Sequence, residues 1–494
     1  MPYFFSHFDY DSMLAIFAFS IILLYEVING FHDSANAIAT VIYTHALSSE
    51  LAVIISGIFN FLGVVFGGLS VAYTIVHLLS IDLLLNIDSS YGLKAIFSML
   101  FAAILWNLCT WLLYLPISSS HTLIGTIIGI NITYAISNHL SLIDIFNVNK
   151  LSNVFLSLII SPILGLIVAG TLVLVLKYFC KINRKNYYLD ITPKNYEKCT
   201  KNISPPFLIK IILILSSIGV SYSHGANDGQ KGIGLIMLVL ICISPSGYFV
   251  NLNASQNDIE KTRNSIFDLE KYYIHNKLNL KVSLDTMTTH IKNSNLVLFS
   301  ASPEEKILSI FHNSCKLLKN ALDYKELNVD QRYILRQSLL YITEFIEIIN
   351  QYSSIQSDDK IFLNNLKESL LHTIEYAPIW IITLVALSLS IGTVIGWKRI
   401  TITFGEKIGK QDMTYAQAIS SQLTSAISIG TASYTGIPVS TTHIVSSSIA
   451  GSVLIDGYGI QTSTIKNIIT SWILTFPVSI LLSSILYWIS LTLF

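Results

Sequence analysis

Charged residues are scarce in this chain of 494 residues, and that scarcity excludes an ordinary soluble protein. Asp, Glu, Lys and Arg make up 12% of the residues, whereas soluble domains average about 25%. Hydrophobic residues reach 52%, and mean hydropathy is +0.60. The 30 acidic and 30 basic residues cancel, so net charge gives no sign of a nucleic-acid partner. The composition indicates a polytopic membrane protein embedded in a lipid bilayer.

Cysteines are also few, and their spacing excludes a thiolate metal centre. The five cysteines include no pair at the short spacing that zinc sites use. We therefore interpret them as inert thiols and predict no protein-bound metal and no cofactor.

The charges that are present concentrate in one segment. Residues 251–372 contain 14 basic and 15 acidic residues, so 29 of the chain's 60 charges lie there. Apolar and charged residues alternate in it at helical spacing, as in LRQSLLYITEFIEII. This pattern predicts a water-exposed insertion that forms a small helical bundle.

Two pairs of similar motifs indicate an internal duplication. GFHDSANAI (30–38) resembles GANDGQKGI (225–233), and PISSSHTLIG (116–125) resembles PVSTTHIVSS (438–447). The first pair is 195 residues apart and the second 322, and the difference of 127 is close to the length of the charged segment. The second half is therefore a copy of the first with an insertion after its first motif.

The duplication predicts an all-α membrane protein made of two inverted repeats with broken or re-entrant helices. Apolar stretches interrupted by polar clusters, such as 30–46, are tolerated at membrane depth where they line a protein cavity. The second copy is inverted if 30–46 and 226–246 re-enter without crossing. The predicted parts are a first membrane repeat (1–177), a basic cytoplasmic linker (178–206), the start of the second repeat (207–246), the soluble insertion (247–372) and the remainder of the second repeat (373–494).

Asp33 and Asp228 occupy equivalent positions in the two repeats. Charged residues inside a membrane segment usually mark a pathway or a partner, so the pair suits cation coordination or proton exchange. The alternative is a pair of helix-capping aspartates. Glu26 lies about two helical turns before Asp33, and either relays protons or faces a polar gap.

Two runs of hydroxyl residues also match. Each run follows a proline and precedes a histidine, His121 or His443. Proline ends the preceding helix and Ser or Thr caps the next, so each run predicts a half-helix whose N-terminus can bind an anion. The alternative is that small residues permit close helix packing. The runs comprise Ser118, Ser119, Ser120, Ser440, Thr441 and Thr442.

Near these runs lie amide and amine side chains, from Asn36, Asn227, Gln230 and Lys231. Together the groups offer donors to an oxyanion, while an ionised carboxylate only accepts. Such a site should prefer phosphate, which keeps a proton at neutral pH, to sulfate, which does not. The predicted phosphate-binding residues are the six hydroxyl residues with Asn227, Gln230 and Lys231, and the predicted coupling residues are Asp33, Asn36, Asp228 and Glu26.

At these motifs the chain resembles the PiT family of inorganic phosphate transporters, most closely its bacterial low-affinity branch. GFHDSANA and GANDGQKG resemble one family signature, and PISSSH and PVSTTH resemble the other. The resemblance implies an inverted-repeat symporter in the cell (inner) membrane. It also implies that Asp33, Asn36 and Asp228 serve the coupling ion, and that Ser119, Ser120, Thr441 and Thr442 contact phosphate.

The resemblance to the bacterial branch further implies proton coupling and uptake of phosphate with a divalent metal such as magnesium. Sodium coupling, as in other branches, is an alternative, as are a membrane phosphatase and a channel. A homodimer is left open.

The chain departs from the sodium-type signature at two positions. His32 replaces an asparagine, and Lys231 stands at the position equivalent to Asn36. We predict that the amine of Lys231 occupies the space of a sodium ion and neutralises Asp228. The alternative is a purely structural ion pair.

Overall fold

A computed structural model describes residues 10–79, 89–113, 115–146, 148–182, 188–276, 303–319, 321–351, 355–397, 401, 408–457 and 459–493. Residues 183–187 of the basic linker and 277–302 of the insertion lie outside this set. The cytoplasmic location of the linker stays a prediction.

The described residues are predominantly α-helical, as the sequence predicts. The helices, numbered in chain order, are α1 (Tyr10–Tyr43), α2 (Ser49–Phe66), α3 (Ser70–Val76), α4 (Ser89–Leu112), α5 (Ser119–Ser137), α6 (Leu142–Ile145), α7 (Val148–Ile182), α8 (Pro193–Thr200), α9 (Phe207–Ile243), α10 (Pro245–Tyr248), α11 (Gln256–His275), α12 (Pro303–Leu318), α13 (Val329–Gln351), α14 (Ser357–Leu371), α15 (Ile379–Gly396), α16 (Tyr415–Tyr434), α17 (Thr441–Ile455) and α18 (Thr462–Leu493).

Six helices of the described residues are long and apolar enough to cross a membrane. They contain the spans Met13–Tyr43, Ser49–Phe66, Tyr91–Leu112, Leu151–Tyr178, Phe207–Ile243 and Thr462–Leu493, and α15 and α17 are shorter apolar helices. Helix α16 is not among the six. It carries hydroxyl residues, including Ser420, Ser421 and Thr424, and these side chains are buried inside the protein.

The acidic motifs lie inside continuous helices. Asp33 is within α1 and Asp228 is within α9. The expectation that 30–46 forms a separate, interrupted segment is therefore wrong, because α1 runs unbroken to Tyr43. The interruptions occur instead before α5 and α17, where Pro116 and Pro438 precede extended residues. Proline lacks the N–H that would continue a helix.

Helix packing in the membrane unit crosses between the two halves of the sequence. Helix α5 packs against α18, and α17 packs against α7. Helix α1 packs against α15, and α9 meets α2 through glycines on both helices. Each helix that carries an acidic motif is thus held by a helix from the other half.

Glycines allow these helix backbones to approach closely. A methyl group at Gly63 would lie 2.1 Å from the carbonyl oxygen of Tyr222, and one at Gly225 would lie 2.1 Å from that of Asn60. On the other pair, a methyl at Gly392 would lie 2.1 Å from the carbonyl oxygen of Val27. Small residues serve this purpose in membrane helix interfaces.

A second compact unit, Leu240–Tyr376, interrupts the first, which comprises Met1–Val239 and Ala377–Phe494. In the second unit α11, α12, α13 and α14 pack around buried leucine, isoleucine and aromatic side chains. The amide of Asn251 donates to the carbonyl of Thr373 at 2.8 Å. Buried Arg336 donates to the carbonyls of Phe249 and Ile374 at 2.9 and 3.0 Å. The two ends of this unit are therefore tied to each other.

Replacing Gly63 with alanine tests the contact between α2 and α9. The added methyl meets backbone, which cannot move aside, so we expect a loss of about 1–3 kcal/mol or more in stability. Thermal unfolding of the purified protein in detergent measures it.

The matched control is Gly57→Ala on the same helix. Its methyl would lie 3.2 Å from the side-chain carbon Cγ2 of Val394 and 3.6 Å from the carbonyl oxygen of Ser390, which is ordinary contact, so we expect a smaller loss. Equal unfolding temperatures for the two variants would contradict the proposed contact.

Candidate functional site

The two repeated aspartates meet in the interior of the membrane unit. Asp33 on α1 and Asp228 on α9 are 1% and 0% exposed. Burial of an ionised carboxylate is costly unless it is paired and hydrogen-bonded. The groups around the two carboxylates therefore determine whether the site is stable.

The first serine of each hydroxyl run caps a half-helix. Ser118 accepts a hydrogen bond from the amide of His121 at 3.1 Å, and Ser440 accepts one from the amide of His443 at the same distance. The N-termini of α5 and α17 therefore lie inside the protein with their first side chains buried. Helix N-termini carry partial positive charge.

The following hydroxyls reach both carboxylates. Ser119 lies 3.3 Å from an oxygen of Asp33 and 3.3 Å from one of Asp228. Thr441 donates to Asp228 at 3.4 Å, and Thr442 donates to Asp33. A hydroxyl has a single proton to donate, so Ser119 can serve one carboxylate at a time.

The side chains three residues after each aspartate occupy equivalent places. Asn36 donates to Asp33 at 2.9 Å and lies 3.5 Å from the hydroxyl of Thr442. Lys231 donates to Asp228 at 2.6 Å and to the hydroxyl of Ser120 at 2.5 Å. Each acidic motif thus contacts the hydroxyl run of the other half.

Lys231 is fully buried beside Asp228. Its ammonium offsets one of the two negative charges, while Asp33 has only neutral Asn36 at the equivalent position. The hydroxyl of Ser120 donates a hydrogen bond to the carbonyl of Val439 at 2.7 Å, so its oxygen can accept from Lys231. The cluster is therefore asymmetric in charge although its contacts are alike.

Some predicted residues have other partners. Gln230 accepts from the amide of Val71 at 2.7 Å and donates to the carbonyl of Gly67 at 2.8 Å, which holds the bend between α2 and α3. Asn227 donates to the carbonyl of Ile437 at 3.3 Å, just before α17. Glu26 is buried, and neither of its carboxylate oxygens accepts a hydrogen bond from the described residues.

One residue of the cluster, His224, was not predicted. Its Nε2 lies 3.5 Å from Asp228 and 3.7 Å from Asp33, and its Nδ1 lies 2.8 Å from the side-chain oxygen of Asn60. Its position four residues before Asp228, on the same helix face, was a signal in the sequence. Nothing in the sequence marked Asn60, which comes from α2.

Asp33, His224 and Asp228 place one potential ligand atom each within 4.8 Å of one another. A cation can be held by such a set. The ammonium of Lys231, 2.6 Å from Asp228, would repel a divalent ion at this point. We therefore do not assign these residues as metal ligands.

The two histidines that follow the hydroxyl runs lie side by side. The ring centroids of His121 and His443 are 4.3 Å apart, and His443 stacks on Trp472 at 3.9 Å. Nδ1 of His121 is 2.7 Å from the hydroxyl of Ser118. These contacts are those of packed structural residues that hold the two half-helices together.

The model of the phosphate transporter family matches residues 29–483, which include both acidic motifs and both hydroxyl runs. The chain belongs to the phosphate transporter family. It is 56% identical over 100% of both chains to the low-affinity inorganic phosphate transporter of Buchnera aphidicola subsp. Baizongia pistaciae. It is 48% identical to PitA of Escherichia coli K12, a low-affinity inorganic phosphate transporter, over 98% of this chain and 97% of PitA.

A solved structure described as the sodium-dependent phosphate transporter has a similar fold. Its TM-score is 0.52 and its identity 18%, and the match covers 97% of this chain and 98% of that one. At this identity the likeness concerns the fold alone.

Membership of the family has two consequences. The chain is a multi-pass protein of the cell (inner) membrane. It is also not an enzyme, because the family and the most similar relatives are transporters, so the membrane-phosphatase alternative is wrong.

Replacing Thr442 with valine tests the hydroxyl that serves Asp33. Hydrogen bonds to charged groups contribute about 1.5–3 kcal/mol, and valine keeps the shape while removing the donor. We expect a loss of stability of that size, measured by thermal unfolding, together with reduced phosphate uptake.

Thr442→Ser keeps the hydroxyl and is the matched control, for which we expect most of the stability and uptake to return. If the valine and serine variants behave alike, the hydroxyl of Thr442 is not important for Asp33.

Proposed function

We propose that this protein is a secondary active symporter that imports inorganic phosphate and is driven by the proton gradient. The observation that carries the proposal is the crossed cluster, in which Asp33 and Asp228 each have hydroxyl partners from both half-helices. The names of the relatives add phosphate as the substrate.

The chemistry of the cluster suits a protonated oxyanion. The N-termini of α5 and α17 and their hydroxyls supply donors for phosphate oxygens. A carboxylate beside them accepts from a P–OH group but repels an anion that carries no proton. Phosphate should therefore bind better than sulfate. The predicted phosphate contacts of Ser119, Ser120, Thr441 and Thr442 belong to this proposal.

Proton rather than sodium coupling is supported by Lys231. Its ammonium lies 2.6 Å from Asp228, where the equivalent residue of the first half is neutral Asn36. A fixed cation beside this carboxylate reduces the attraction for sodium there, and protonation is left as the coupling event. Sodium coupling is the second candidate, since a sodium-dependent transporter has a similar fold.

An alternating-access mechanism fits the burial of the cluster better than a channel does. The side chains around Asp33 and Asp228 are at most 3% exposed, so phosphate can enter only after a rearrangement. The packing of each half against the other supports a relative movement of the two repeats that would open the site to one side at a time.

Uptake of radiolabelled phosphate by vesicles that contain the purified protein tests the proposal. The proton gradient, sodium and magnesium are varied independently, and sulfate is added as a competitor. We expect saturable accumulation that follows the proton gradient without sodium and that sulfate inhibits poorly. Stimulation by magnesium would identify a metal–phosphate complex as the substrate.

An absolute requirement for sodium would overturn proton coupling and favour the second candidate. Equal competition by sulfate would overturn the proposed role of the P–OH group. Uptake that does not saturate would favour a channel.

Lys231→Asn tests the built-in cation, because it restores the residue found at the equivalent position in the first half. We expect uptake by this variant to become sodium-stimulated and less dependent on the proton gradient. Lys367→Asn, at a surface ion pair of the second unit, is the control that removes one lysine elsewhere. A Lys231→Asn variant that stays inactive with sodium would count against the idea.

A further inference from the structure

We propose that the coupling proton binds to Nε2 of His224, and that Asn60 and Thr393 hold the histidine in the tautomer that this requires. The inference rests on the proposed function, since it assigns a residue to proton coupling. It is carried by a chain of hydrogen bonds whose directions can be worked out from one end.

The chain begins at Thr393 on α15. The hydroxyl of Thr393 is 3.0 Å from the carbonyl oxygen of Leu389, and a carbonyl can only accept, so this proton is used. The oxygen of Thr393 must therefore accept from Asn60, whose amide nitrogen is 2.9 Å away. This fixes the orientation of the Asn60 side chain.

The fixed amide determines the tautomer of His224. The side-chain oxygen of Asn60 faces Nδ1 of His224 at 2.8 Å, and an amide oxygen accepts, so Nδ1 carries a proton. In a neutral imidazole the other nitrogen is then an acceptor. Nε2 consequently presents a lone pair at the point where it faces the two carboxylates.

This arrangement is unfavourable while the histidine is neutral. Nε2 lies 3.5 Å from Oδ2 of Asp228 and 3.7 Å from Oδ2 of Asp33. It makes no hydrogen bond to the described residues, and His224 is 1% exposed. A lone pair directed at two anionic oxygens is repelled, whereas an N–H at the same place is attracted by both. The geometry thus favours the binding of a proton at Nε2.

Charge balance connects this proton to an anion. With His224 protonated, two carboxylates face two cations, His224 and Lys231, and the four groups are neutral. After the proton leaves Nε2 the same groups carry one net negative charge. A phosphate anion is then repelled by the site, so proton and phosphate bind together and leave together, which is the requirement for symport.

The other titratable groups near His224 come from α1, from its own helix and from the half-helices. Helix α15 carries no titratable side chain. On α2 the titratable residue nearest in sequence to Asn60 is Glu50, ten residues earlier. The groups in or beside the cluster are Tyr25, Glu26, His32 and Asp33 on α1, Asp228 and Lys231 on α9, and His121 and His443 at the starts of α5 and α17.

Two variants test the proposal in vesicles, by gradient-driven accumulation and by exchange of phosphate across the membrane without a gradient. His224→Gln replaces the imidazole with a neutral amide, which stays polar but cannot take up a proton. We expect exchange to continue and accumulation to be lost. His32→Asn is the matched control. His32 is also buried beside an acidic-motif aspartate, but its Nε2 faces the carbonyl of Asn107 at 2.6 Å and not a carboxylate. We therefore expect the His32→Asn protein to accumulate phosphate with the wild-type pH profile.

Asn60→Asp acts on the proton without removing the histidine. A carboxylate at Nδ1 favours the imidazolium, so His224 should keep its proton to higher pH. We expect the alkaline limb of the pH profile of uptake to move upward by about one pH unit or more. A residue needed only for packing would not shift this limb.

The outcomes separate this inference from the proposed function. If wild-type uptake ignores the proton gradient, the proposed function fails and the assignment fails with it. If the wild type is proton-driven but His224→Gln still accumulates phosphate, or Asn60→Asp leaves the pH profile unchanged, only the inference fails. Loss of phosphate exchange in both His224→Gln and Asn60→Asp would assign His224 and Asn60 to phosphate binding. That outcome would also overturn the inference.

Discussion

Two carboxylates buried a few ångströms from a common histidine are the constraint on which the rest of the membrane unit depends. Asp33 and Asp228 are both shielded from bulk solvent, which makes a charge costly to hold, and each repels the other. The protein offsets this with one ammonium, shared hydroxyls and two inward-facing helix N-termini. The broken helices, the glycine contacts and the crossed packing all serve to bring these groups to one place.

The duplication explains why the contacts cross between the halves. A motif that met only its own copy's hydroxyl run would produce two separate sites. Because Asn36 approaches Thr442 and Lys231 approaches Ser120, each half completes the site of the other. The exchange of a neutral amide for an ammonium at one of the two positions then gives the two nearly equal sites different charges.

Much of this arrangement could be predicted from the sequence, because repeated motifs reveal which residues share an environment. Asp33, Asp228 and the hydroxyl runs were found in this way. The continuity of α1 was not predicted, since polar residues in an apolar run are equally compatible with a helix facing other protein. The partners of Gln230 could not be predicted either, because a long side chain can turn toward a bend such as that at Gly67. Asn60 lies in an ordinary apolar helix, and only the fold places it beside His224.

The joined ends of the second compact unit have a consequence for how the chain could have acquired it. Arg336 and the hydrogen bond between Asn251 and Thr373 hold the first and last segments of this unit side by side. A folded module whose termini are neighbours can be accepted at a single connection of a host protein without stretching it. More than a hundred residues could thus be added to one copy of an ancestral duplicate while the pairing of the two copies was preserved.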